Sequence, residues 1–125
     1  MNTTHRPLTD TELEKFSCLE SSHTSTALLR LKADDGRTYL FATAHYVDGV
    51  HEANPTAQPE GPPERLRLRF TTGQIVILGL GLERIEDELA EGHLLGLKTV
   101  DPRYASVFKR KPIVMSITVH QKEEI

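Results

Sequence analysis

Within one short stretch, His45, Asp48, His51 and Glu52 carry the imidazole and carboxylate groups that hold zinc and similar divalent ions. A catalytic metal needs such a set to converge and to leave one coordination position for water. The spacing argues against convergence, because it matches no helix-borne metal motif such as HExxH and because side chains leaving a strand end diverge. The expectation is a row of solvated polar residues, with a metal-dependent enzyme as the last of three functional readings and with no cofactor assigned.

No nucleophile stands out. Ser116, Thr118 and His120 alternate along one segment, but same-side residues of a strand lie ~7 Å apart and do not make a triad. Gly79-Leu80-Gly81 precedes a helical pattern, yet Arg84 stands where the dinucleotide fingerprint wants glycine, and the helix that follows is acidic. A tight turn is the better account of these glycines.

The remaining constellation is basic and aromatic. If two hairpins lie in one sheet, Arg30, Lys32, Arg65, Arg67 and Arg69 share a face with Tyr39 and Phe41, and sheets that bind single-stranded nucleic acid combine cations with stacking platforms in this way. The overall charge counts against that use: 15 Lys and Arg against 18 Asp and Glu give a net −3, far from the basic balance of a dedicated nucleic-acid module. Nucleic-acid binding is therefore the second reading. The first is a non-enzymatic protein-interaction module, because arginine stems also cover apolar neighbours and mixed arginine and apolar surfaces suit interfaces.

These residues must be positioned by regular elements. Asp35-Gly36 has the composition of a two-residue type I′ turn. That turn pairs Leu31 with Leu40 and Leu29 with Ala42 on one face, and Lys32 with Tyr39 and Arg30 with Phe41 on the other. Thr72-Gly73 defines a second hairpin, pairing Phe70 with Ile75 and Leu68 with Ile77, while Arg69, Arg67 and Arg65 face Val76, Leu78 and Leu80. Between the hairpins, proline and glycine recur from Asp48 to Pro63, which predicts a mobile surface loop over 49–63.

Helical signals flank the hairpins. Thr9 and Glu12 have capping-box spacing, with Leu8 and Leu13 as a hydrophobic staple, so a short helix is expected from Thr9 to about Leu19. After Gly81 the apolar period lengthens, with Leu82, Ile85 and Leu89 on one helical face and Gly92 as the stop. The segment from Ile113 to His120 alternates again, with Ile113, Met115, Ile117 and Val119 on one side. The expected fold is a single α+β domain spanning 1–125, with an antiparallel sheet of about five strands (two hairpins plus a C-terminal strand) and one or two packed helices.

Two further expectations concern partners and place. The strand Ile75–Leu80 is apolar on both sides, and antiparallel strands usually leave one side to water. Val76, Leu78 and Leu80 are therefore expected to form an interface, with a homodimer preferred over cover by the N-terminal helix. Cys18 is the single cysteine of the 125 residues, which excludes an intramolecular disulfide and fits a reducing compartment. No window reaches the ~18 apolar residues that span a bilayer, and Met1–Arg6 has no apolar signal core. A cytoplasmic protein without membrane contact is expected.

Overall fold

The computed structural model describes residues 19–21, 27–100 and 112–121. The expected helix from Thr9, Cys18 and the stretch 101–111 lie outside the described residues, except that Leu19 belongs to a strand. In chain order the elements are β1 (Leu19–Ser21), β2 (Leu28–Lys32), β3 (Thr38–Ala42), a 3-10 turn (Thr43–His45) and β4 (Tyr46–Ala53). They continue with β5 (Glu64–Phe70), β6 (Gly73–Leu80), α1 (Glu83–Ala90), β7 (Leu94–Leu97) and β8 (Ile113–Gln121). Among the described residues eight strands form two four-stranded sheets, ordered β1-β7-β2-β3 and β4-β5-β6-β8. The fold is thus α+β, but the expected single sheet of about five strands is replaced by two sheets, and β2 pairs with β7 in parallel. All other ladders are antiparallel.

The first hairpin closes one residue away from the expected register. The Gly36 amide donates to the Ala33 carbonyl at 3.1 Å and the Ala33 amide to the Arg37 carbonyl at 2.9 Å. Gly36 takes the left-handed conformation at φ +82°. This is a three-residue turn ending in a left-handed glycine rather than a two-residue type I′ turn. Leu31 consequently pairs with Tyr39 and Leu29 with Phe41. A one-residue slip exchanges the two faces of a strand, so Phe41 enters the core while Leu40 is 57% exposed.

In the second hairpin Phe70 pairs with Gly73, placing Thr71 and Thr72 in the turn. The register differs from the expected one by two residues, which leaves every side chain on its expected face. Leu66, Leu68, Phe70, Ile75 and Ile77 point inward, and Arg65, Arg67, Arg69, Val76 and Leu78 point outward. The loop expected over 49–63 is shorter, because β4 runs to Ala53 and pairs along β5.

Gly81, at φ +69°, turns the chain from β6 into α1. The helix ends in a Schellman motif, in which His93 N donates to Glu88 O at 2.9 Å and Gly92 N to Leu89 O at 3.0 Å. Gly92 is left-handed at φ +76°, as its position in the sequence predicts. A bulge shifts the β6–β8 register: Leu78 faces Ser116, but Gly79 faces Val114, leaving Met115 as the extra residue. The expected single row of Ile113, Met115, Ile117 and Val119 is therefore broken, and fully buried Val114 joins Ile117 on the inner side.

Both sheets and α1 contribute to one core cluster. Phe41 of β3 and Phe70 of β5 meet with ring centroids 4.9 Å apart, linking the sheets. The first hairpin also clips the edge of β8: Asp34 N donates to Ile117 O, and the Asp34 carboxylate accepts from Ile117 N and Ser116 Oγ. That contact satisfies backbone groups which an open sheet edge would leave unpaired.

Candidate interaction surface

The outer face of the second sheet is built in rows set by its registers. Asp48, Arg69, Gln74 and His120 form one row, Val50, Arg67, Val76 and Thr118 the next, and Glu52, Arg65, Leu78 and Ser116 the third. Facing positions on adjacent strands lie close enough for direct pairing. Glu52 Oε2 accepts from Arg65 Nε at 3.0 Å and Nη2 at 2.6 Å, and Arg67 Nε approaches the same oxygen at 3.2 Å. The Asp48 carboxylate holds Arg69 through two hydrogen bonds. These pairs lower the Glu52 carboxyl below its ordinary value, through the Arg65 hydrogen bonds first and the two arginine charges after them. The Asp48 carboxylate raises Arg69 in turn.

This arrangement also explains β4. Asp48, Val50 and Glu52 alternate on one side and meet Arg69, Arg67 and Arg65 on β5. Charge complementarity across the ladder supports the strand despite Gly49, whose small size leaves room for the Tyr46 hydroxyl and Leu68. The signal was present as acid–apolar–acid spacing against arginine–leucine alternation.

The four proposed metal ligands are sent in different directions. Asp48 pairs with Arg69 and Glu52 with Arg65 and Arg67, while His45 lies exposed in the 3-10 turn. His51 Nε2 donates to Glu64 Oε1 at 2.6 Å. Glu64 also accepts from Gly81 N at 2.8 Å and Leu82 N at 3.2 Å, just before α1. The same carboxylate therefore ties β4, β5 and the β6–α1 junction together. Among the described residues, no group of three or more His, Cys, Asp or Glu side chains is placed to hold a metal ion.

The seven basic and aromatic residues are not assembled on one face either. Arg65, Arg67 and Arg69 lie on the second sheet, and Arg30 and Lys32 lie on the outer side of the first. Tyr39 shares the side of Phe41, which is 3% exposed. The Tyr39 hydroxyl donates to Asp35 Oδ2 at 2.6 Å. Neither ring stands beside the cations as a stacking platform.

The expected interface residues do share a face. Val76, Leu78 and Leu80 run along β6, an interior strand of the second sheet, with Leu80 48% exposed and Val50 44% exposed nearby. Sequence reasoning missed the exposed Leu40 of the first sheet because of the register slip, and it did not single out Leu28, which is exposed beside Arg30 on the outer side of β2. No helix among the described residues is long and apolar enough to cross a membrane.

No protein-family model matches the chain, and no curated protein or solved structure matches it.

Proposed function

We propose that this chain is a non-enzymatic interaction module, acting in a reducing cytoplasm, whose contact surface is the outer face of the second sheet and whose partner there is a second copy of itself. The observation carrying the reading is the apolar strip of Val76, Leu78 and Leu80 on an interior strand, with arginines beside it that already face carboxylates. A phosphate backbone draws its binding energy from cations free to release counterions. Here such contacts would have to displace Asp48 and Glu52, which disfavours nucleic acid and favours an apolar partner.

Self-association fits the charge distribution. Arg65, Arg67 and Arg69 stand beside Asp48 and Glu52, so the face nearly balances its own charge and two copies do not repel strongly. Two-fold dimers are the commonest closed assembly and use one patch on both subunits. Sedimentation velocity on wild type and Leu78→Glu tests the reading. Wild type is expected to dimerise, and Leu78→Glu to give a folded monomer: Arg65 across from it is already held by Glu52, so the new carboxylate brings an incompletely paired charge into an apolar contact, which is strongly unfavourable. A wild type still monomeric at about 100 µM would have a dimerisation free energy weaker than roughly 5.5 kcal/mol, and the reading would be abandoned.

A further inference from the structure

The outer side of the first sheet carries a different kind of surface. Arg30 and Lys32 occupy alternate positions of β2, so both project from one face about 7 Å apart. Gly96 of β7 lies opposite Arg30. Between them is a shallow cleft of about 60 Å³, lined by Glu20, Arg30, Lys32, Gly96, Leu97 and Lys98. One water needs roughly 10–15 Å³ of such space, so the cleft has room for a few waters or one small polyatomic ion.

We infer that this cleft binds a phosphate group, held between Arg30 and Lys32 with Lys98 adding positive charge. The two β2 cations have no ion pair or hydrogen bond among the described residues, in contrast to Arg65, Arg67 and Arg69. Lys98 already has an interaction of its own and contributes its field rather than a vacant donor. Glu20 removes one charge, which leaves the lining net positive in a chain whose total is −3. Gly96 keeps the floor open: a Cβ there would stand 3.3 Å from the Arg30 carbonyl oxygen and 3.5 Å from the Glu20 carboxylate. A doubly charged phosphate gains more from several cations than a singly charged carboxylate does, and its oxygens suit the arginine fork. This inference does not depend on the interface proposed on the second sheet.

The test is a titration of the full chain with inorganic phosphate at constant ionic strength, followed by amide chemical shifts, with acetate and glycerol phosphate as parallel arms. Saturable shifts centred on Gly96 and Arg30 are expected, with a midpoint of about 1–10 mM because the site is open to water. Lys32→Glu should raise that midpoint at least tenfold. Gly96→Ala should weaken binding in a chain whose remaining shifts are unchanged. Glycerol phosphate binding as well as inorganic phosphate would identify a phosphomonoester as the ligand, and failure of the ester alone would identify the free ion. Shifts that do not saturate, that spread equally to Arg65, Arg67 and Arg69, or that ignore Lys32→Glu would overturn the site. Acetate binding as tightly as phosphate would overturn the ligand class.

Discussion

Replacing Gly79 by alanine isolates the contact that fixes how β6 and β8 meet. A Cβ at this position would stand 2.0 Å from the Ile113 carbonyl oxygen and 3.0 Å from its carbon, with Leu82 Cδ2 at 3.2 Å. Ordinary carbon–oxygen contacts begin near about 3.3 Å, so β8 must retreat by more than about 1 Å. That displacement breaks about two ladder hydrogen bonds, each contributing roughly 1 kcal/mol, and loosens the packing of Val114. Strain from overpacking adds about 1–3 kcal/mol, so the expected total is about 3–5 kcal/mol. For a urea slope of about 1.5 kcal/mol per molar the unfolding midpoint falls by about 2–3 M. The assay compares variants at one protein concentration, since association would shift the midpoint. Gly36→Ala is the control: φ is +82° but nothing lies within 4 Å of its Cβ. It should cost only the left-handed strain of about 1–2 kcal/mol. If Gly79→Ala shifts the midpoint no more than Gly36→Ala, the close approach of the two strands is refuted.

Two further outcomes follow from the same geometry. Burial raises the Glu64 carboxyl, but the Gly81 amide, the His51 ring and the Leu82 amide outweigh it and leave the group below its ordinary value of 4.5. A depressed carboxyl stabilises the fold above the unfolded-state value and loses that contribution as pH falls through the folded one. Urea titrations from about pH 6 down to pH 3 should therefore show a shallower loss for Glu64→Gln than for wild type, and equal slopes would remove Glu64 from this role. The observed register of the first hairpin predicts that Leu40→Lys changes stability by less than about 0.5 kcal/mol, whereas Phe41→Ala costs about 3–5 kcal/mol. The reverse ranking in thermal or urea unfolding would restore the type I′ register.

The sequence carried the elements whose signals are local and periodic. Leu82, Ile85 and Leu89 with Gly92 define α1, and the capping glycine adopts the backbone conformation that its position demands. The β5–β6 hairpin kept its faces despite a two-residue error because the side-chain period is also two. The β2–β3 hairpin had no such protection. Asp35-Gly36 fits both a two-residue and a three-residue turn, and choosing between them moves Tyr39 and Phe41 together from one side of the sheet to the other. That ambiguity, together with placing both hairpins in one sheet when they lie in two, created the apparent basic and aromatic face.

Other features depend on distant partners and leave little local trace. The strand β4 contains Asp48-Gly49, which reads as a turn until Arg69 and Arg65 are known to lie across from its acids. The parallel pairing of β2 with the four-residue β7 joins segments more than sixty positions apart. The bulge at Met115 is set by Gly79 on another strand. The shared outer face of Val76, Leu78 and Leu80 was legible because β6 is apolar on both sides, a property of the strand itself.

The most direct test of the central claim is dilution of labelled protein while the methyl resonances of valine and leucine are followed. Val50, Val76, Leu78 and Leu80 should shift together as the dimer dissociates, with a concentration dependence set by one dissociation constant, while Leu28 and Leu40 on the first sheet stay fixed. Shifts confined to Leu28 and Leu40, or none at any position, would contradict an interface on the outer face of the second sheet.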